Sequence, residues 1–343
     1  MSHTIKRIEV KDFLAFKGEF TSDFCPGINI LIGENGTGKT TLLRCIYLAS
    51  RRLEQAKKKS AEISPADVAH LFGPLSQEPE RKIAQIYFAG MTYSVELTWP
   101  GWMKLQPPQS KNPSFEHPPR TVCPDHVAYI PEKDILEHAR GLLTFIEQKQ
   151  TGFNRIYKDI LIASMDVPTR KQSKMQKSIG EKIAAIIGGT VQWDKSDGSF
   201  YTLRTDGSKI PFANEASGFK KLGYLGLLIS TGQLEKNSIL FWDEPENSLN
   251  PELMPDLVNI LLELQRQGVQ IFIATHSKML ANEFNVSEKD DDKISFISLY
   301  KDSDKSIKAS ADSRFALLTP NKLTEASVEQ YEREIEKGLG GND

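Results

Sequence analysis

The run Leu31-Ile32-Gly33-Glu34-Asn35-Gly36-Thr37-Gly38-Lys39-Thr40-Thr41 admits few folds. Apolar residues at 28, 30, 31 and 32 lead into it, and a helix-forming stretch, Thr41-Leu42-Leu43-Arg44-Cys45-Ile46, leads out. Glycines at 33, 36 and 38 let the backbone turn so tightly that successive N–H groups aim at one point. The N-terminus of the following helix adds positive potential, which makes a cradle for phosphate. The pattern assigns Gly33, Glu34, Asn35, Gly36, Thr37, Gly38, Lys39, Thr40 and Thr41 to nucleotide binding. Lys39 is expected at the β- and γ-phosphates, and the Thr40 hydroxyl at a Mg2+ ion that keeps several waters. The expected fold class is α/β, a P-loop NTPase.

A phosphate loop needs acids at the end of a neighbouring strand. Far downstream, Ser238-Ile239-Leu240-Phe241-Trp242-Asp243-Glu244-Pro245-Glu246 supplies an apolar strand ending in two carboxylates. Asp243 is expected to hold Mg2+, and Glu244 to take a proton from an attacking water. One strand later, Thr275-His276-Ser277 follows the apolar run of residues 269–274. A histidine at the carboxyl end of a parallel strand faces the crevice where α/β sheets bind ligands, so His276 is a catalytic candidate.

The rest of the chain supports one mixed sheet flanked by helices. Residues 5–32 alternate as strands do, and residues 82–97 read as two strands around Ala89-Gly90. Seven prolines between 100 and 124 exclude a helix or central strand there and point to a surface connection. Residues 134–187 turn to helical periodicity, and Asp197-Gly198 and Asp206-Gly207 mark hairpin turns. Helices are expected over 219–234, 252–267 and 277–283, with a strand at 294–300 and a charged helix after Thr324. The division read from this order has four parts. Residues 1–130 form an N-terminal ATPase lobe and 131–190 an inserted helical subdomain. Residues 191–323 form a C-terminal lobe, and 324–343 a charged helix and tail.

Composition limits the partners. Lys and Arg number 43 against 45 Asp and Glu, so no general basic field calls for nucleic acid. The basic cluster within 170–177 is where such a partner would bind, although an exposed helix face explains it more simply. Asp290-Asp291-Asp292 reads as a solvated turn. Three unpaired cysteines suit a reducing compartment, and no apolar run reaches bilayer length, so a cytoplasmic protein with no membrane partner is expected.

Residues 33–41, Asp243-Glu244 and His276 resemble the Walker A, Walker B and switch-histidine elements of ABC-type ATPases. More narrowly they resemble SMC/RecF-like and OLD-like AAA-family ATPases, a kind found in bacterial anti-phage defence. The resemblance implies an ABC-ATPase-type head that sandwiches two ATP molecules between two copies of the chain. In that arrangement Ser217-Gly218, within Asn214-Glu215-Ala216-Ser217-Gly218-Phe219-Lys220-Lys221, stands where the family's signature loop touches the partner's γ-phosphate, with Lys220 or Lys221 reinforcing it. An ordinary helix cap on Ser217 or Asn214 is the competing explanation. Glu132 stands in the place of the family's Q-loop glutamine, as a metal or water contact. Asp12-Phe13-Leu14-Ala15-Phe16 lacks the arginine common there, so the residue contacting the adenine is not assigned. The resemblance implies a Mg2+-dependent ATPase, a homodimeric switch controlling a separately encoded effector or nuclease. The alternative is a RecF-like repair ATPase on duplex DNA.

Overall fold

The computed structural model describes residues 3–58, 71–72, 81–88, 93–99, 103–106, 122–142, 155–165 and 172–338. The Ala89-Gly90 turn, most of the proline-rich stretch, residues 170–171 and the last five residues lie outside them.

The N-terminal alternation builds an antiparallel sheet. β1 (Ile5–Phe13) pairs with β2 (Phe16–Asp23) on one side and with β4 (Arg81–Phe88) on the other. β5 (Tyr93–Trp99) and β6 (Met103–Gln106) extend it. β6 was not expected. Its four residues lie between Pro100 and Pro107, and they add an edge strand, the position that flanking prolines allow.

The central sheet has six strands. β3 (Ile28–Gly33), β7 (Val127–Ile130), β11 (Ile239–Asp243), β12 (Gln270–Thr275) and β13 (Ile294–Lys301) run parallel, and β14 (Ile307–Asp312) is antiparallel to β13. Their spatial order is β14-β13-β3-β12-β11-β7. Every residue of β3, β7, β11 and β12 is buried, the signature of a parallel sheet covered on both faces. The sheet is flanked by helices. α1 (Lys39–Lys58) touches strands of both sheets and buries Leu42, Leu43, Ile46 and Leu53. Gln270 joins the sheets from inside the core: its side chain accepts from the Ile5 N–H at 2.8 Å and donates to the Ile5 and Cys25 carbonyls at 3.0 and 2.8 Å. A buried amide satisfied three times in this way fixes one arrangement of the two sheets.

Within residues 131–190 the described helices are α2 (Arg155–Ser164) and α3 (Lys174–Ile187). Ser173 and Gln176 cap α3 reciprocally, so the basic cluster opens as an ordinary capped helix. A small hairpin sheet follows, β8 (Gly189–Asp194), β9 (Ser199–Arg204) and β10 (Lys209–Pro211). Its turns fall at the two Asp-Gly pairs, where Asp197 and Asp206 accept from the N–H groups of Ser199 and Ser208. Then come α4 (Ser217–Ser230), α5 (Met254–Arg266), α6 (Lys278–Ser287) and α7 (Lys322–Gly338). α3 packs on α4, and α5 packs on β12 and α6.

Candidate nucleotide site

Strand register brings the sequence's candidates to one edge. β12 pairs with both β3 and β11, setting Ala274 beside Leu31 and Asp243. The residues that follow each strand therefore emerge together: the glycine loop after β3, Glu244 after β11 and His276 after β12.

The loop itself depends on close backbone approach. Gly33 has φ +150, and a Cβ there would lie 2.3 Å from the Leu299 carbonyl oxygen. Gly38 has φ +89, and a Cβ would strike the Phe16 ring at 2.6 Å. The Thr37 hydroxyl donates to the Glu34 carbonyl at 2.8 Å, while the Glu34 and Asn35 side chains stay exposed. α1 begins at Lys39, so the N–H groups of Lys39, Thr40 and Thr41 have no carbonyl partner within the helix. The Lys39 ammonium is buried and donates to the Gly33 and Glu34 carbonyls at 2.8 and 3.0 Å. Burial holds its pKa below the usual lysine value, and Glu244 and Asp243 work against that shift.

Thr40 and Asp243 meet across the strands, the hydroxyl donating to Asp243 Oδ1 at 3.2 Å. The Tyr129 hydroxyl approaches Asp243 Oδ2 at 3.4 Å. Burial pushes the Asp243 carboxyl up to about 6, despite the Thr40 hydrogen bond and the nearby Arg44. A hydroxyl and a carboxylate held side by side beside a phosphate cradle are a hard-oxygen pair that suits Mg2+. Glu132 is not part of that pair: it is exposed, and its Oε1 accepts from Asn247 at 3.4 Å.

Glu244 turns the chain out of the sheet with φ +50, a left-handed conformation unusual for a residue with a side chain. Two bonds hold it there. Its N–H donates to the Ala274 carbonyl at 2.8 Å, and its carbonyl accepts from Lys221 at 2.6 Å. His276 Nδ1 lies 3.0 Å from Glu244 Oε1, and Thr275 donates to Glu246. A cleft of 360 Å3 opens over Gly36, Lys39, Thr40 and Glu244, walled on one side by Leu14 and Ala15 of the β1–β2 turn. Leu14 is half exposed, with φ +52. Sequence reasoning missed this apolar wall, because a Leu-Ala pair carries no aromatic signal.

Ser217 and Gly218 open α4. The residue at the cap position is Ala216, with no side-chain bond, so Ser217 is the first helical residue and not a cap. The competing explanation of Ser217 or Asn214 as helix cap is thereby removed. Ser217 is exposed and makes no hydrogen bond to its own chain's phosphate loop among the described residues. Gly218 is buried, and a Cβ there would lie 2.8 Å from the Ser248 carbonyl oxygen. The turn from Glu244 through Ser248 therefore rests directly on the start of α4. Neither following lysine reinforces the Ser217 edge, contrary to expectation. Lys220 pairs with Glu137 and donates to the Ala213 carbonyl, and Lys221 points inward to Glu244.

Comparison with known proteins covers both halves of this site. Residues 7–96, with the phosphate loop, match a family described as "AAA domain". Residues 144–282, with Ser217, Asp243, Glu244 and His276, match one described as "AAA domain, putative AbiEii toxin, Type IV TA system". The fold is similar to a crystal structure of an SmcHead bound to the C-winged helix domain of ScpA, with TM-score 0.55 and 14% identity over 91% of this chain and 98% of that one. It is also similar to an Smc head domain with an extended coiled coil, bound to the C-terminal domain of ScpA from Pyrococcus furiosus, with TM-score 0.52 and 12% identity over 98% and 99%. No curated protein matches the sequence.

Proposed function

We propose that this chain, an ABC/SMC-like AAA-family ATPase, is a switch that binds and hydrolyses ATP between two copies of itself. The meeting of Thr40 with Asp243, and of Glu244 with His276, at the edge that carries the phosphate loop supports this reading most directly. In it the loop N–H groups and Lys39 hold the triphosphate, and Thr40 and Asp243 hold Mg2+. When bound, the ion would polarise the phosphate oxygens. Glu244 takes the proton of the attacking water. His276, through Nδ1, fixes the rotamer of that carboxylate. Ser217 and the unsatisfied N–H groups at the start of α4 address the γ-phosphate held by the partner. Residues 131–190 form a helical insert between two lobes in this scheme.

We further propose that the switch controls a separately encoded effector or nuclease in anti-phage defence. The charge balance lends no support to the duplex-DNA alternative. Glu244→Gln should retain ATP and lower turnover by about 10²- to 10⁴-fold. It should also give an ATP-dependent dimer by light scattering. Lys39→Ala should lose nucleotide binding. Wild-type turnover in Glu244→Gln would remove Glu244 from the mechanism and this reading with it.

A further inference from the structure

His276 stands at the site with little of its own to hold it. Its side chain is 52% exposed, and its one bond among the described residues is the contact of Nδ1 with Glu244 Oε1 at 3.0 Å. An exposed pair of this kind adds little order by itself, so the aim of the ring is set by the backbone that carries it. That backbone is a turn between two hydroxyl residues, Thr275 and Ser277.

Thr275 closes the turn. It ends β12 in register with Ile32 of β3 and is fully buried, so the sheet fixes its position. Its Oγ1 accepts from the Ser277 N–H at 2.9 Å and so spans His276 from one side to the other. The same hydroxyl donates to Glu246 Oε1. A hydroxyl bonded to a carboxylate is held in direction as well as in place, and the branched Cβ of threonine already limits its rotamers. Ser277 carries the order on into α6, its own hydroxyl accepting from the Leu280 N–H at 3.1 Å.

Glu246 is a demanding partner for a hydroxyl. Its Oε2 is buried with no hydrogen-bond partner among the described residues. Such an atom costs stability that an apolar residue at 246 would not, so its presence calls for a role. The buried Lys221 ammonium offsets part of the cost, and the strongest electrostatic support for its charged form comes from Glu246. Glu246 stands two residues beyond Glu244 on the turn after β11, and Thr275 one residue before His276. Two side-chain bridges therefore join the same two turns, Glu244 with His276 and Glu246 with Thr275. We infer that Glu246 and Thr275 are positioning residues, whose bridge sets the spacing of the two turns and so aims His276 at Glu244. The inference rests on the proposed function for the part of His276 in hydrolysis, but not for how its ring is held.

Ring signals and turnover test it together. In the nucleotide-free, full-length protein labelled with 15N-histidine, the His276 resonances are those missing from His276→Asn. They should move towards the shifts of a solvated imidazole in Thr275→Val and in Glu246→Ala, while the remaining histidines keep theirs and show the fold intact. With ATP and Mg2+, each variant should lower kcat about 10- to 100-fold, with ATP affinity within about threefold of wild type. Thr275→Ser, which retains the hydroxyl, should recover most of both effects. The double variant should lose no more than the worse single one. His276 signals that stay in place in both variants overturn the bridge, whatever the turnover. Losses of turnover that add in the double variant also overturn it, because Glu246 would then act by another route, such as Lys221. Signals that move while turnover stays at the wild-type level keep the bridge and remove His276 from the hydrolytic reading.

Discussion

Lys221 holds the backbone of Glu244 from inside the fold. It is 6% exposed, and burial lowers its pKa while Glu246, Glu132, Glu244 and Asp243 favour its charged form. Its bond to the Glu244 carbonyl helps hold a left-handed backbone that otherwise costs about 1–2 kcal/mol. Lys221 is thus a positioning residue for Glu244. Lys221→Met should leave ATP affinity within about threefold and lower kcat about 10- to 100-fold, because only the aim of the carboxylate is disturbed. Lys221→Arg should recover part of the loss. Equal losses in affinity and kcat would instead mean that the whole site had loosened. None of this was legible in the sequence, where Lys220 or Lys221 is expected to reinforce the Ser217-Gly218 loop instead. α4 is apolar on most of its circumference, so its pattern does not reveal which face turns inward. The glycine loop, Asp243, Glu244 and His276 were legible because their spacing from strand ends is itself the signal.

Elements with one unmistakable pattern were found, and those made by pairing were not. β3, β11 and β12 announce themselves as continuous apolar runs. β14 does not: Ile307-Lys308-Ala309-Ser310-Ala311-Asp312 contains one large apolar residue and becomes a strand by pairing with β13. In the acidic run before β13, Asp290 and Asp291 are the exposed turn that the sequence predicts, and only Asp292 departs from it. Asp292 is no solvated turn residue. Its carboxylate takes a bidentate pair from Arg266 at the end of α5, at 2.7 and 2.6 Å, and the Lys289 N–H at 2.9 Å. Burial alone would raise its pKa, but the Arg266 bonds override that and hold it below the usual aspartate value. A depressed carboxylate stabilises the fold above its unfolded pKa near 3.8, and that contribution disappears as pH falls through the folded value. Asp292→Asn should therefore cost about 1–2 kcal/mol at pH 7. Urea unfolding at pH 7 and pH 3.5 should show the gap between variant and wild type shrinking in acid. A gap that is constant with pH would mean the loss is one of packing.

In the whole molecule, the phosphate loop and Ser217, which the proposed sandwich joins in one site, make no bond to each other within a single chain among the described residues. Lys39 and Thr40 sit at the end of β3, whereas Ser217 is exposed at the start of α4 with no bond to that loop among the described residues. Dimerisation would resolve this, and the arrangement makes a demand that no monomeric ATPase meets. Ser217→Arg should bind ATP normally yet fail to hydrolyse it, since the bulky cation intrudes only on the partner's γ-phosphate. Lys39→Ala should also be inactive, for want of nucleotide. Mixed in equal amounts, the two dead proteins should regain activity, because a mixed pair sets an intact phosphate loop against an intact Ser217 once. With random pairing, half the dimers are mixed and each holds one working site of two, so recovery should reach up to about a quarter of wild-type turnover. Steady-state phosphate release, measured across mixing ratios and peaking at equal amounts, checks this. A flat, inactive profile would place Ser217 outside the composite site, and activity in Ser217→Arg alone would show that each chain completes its own.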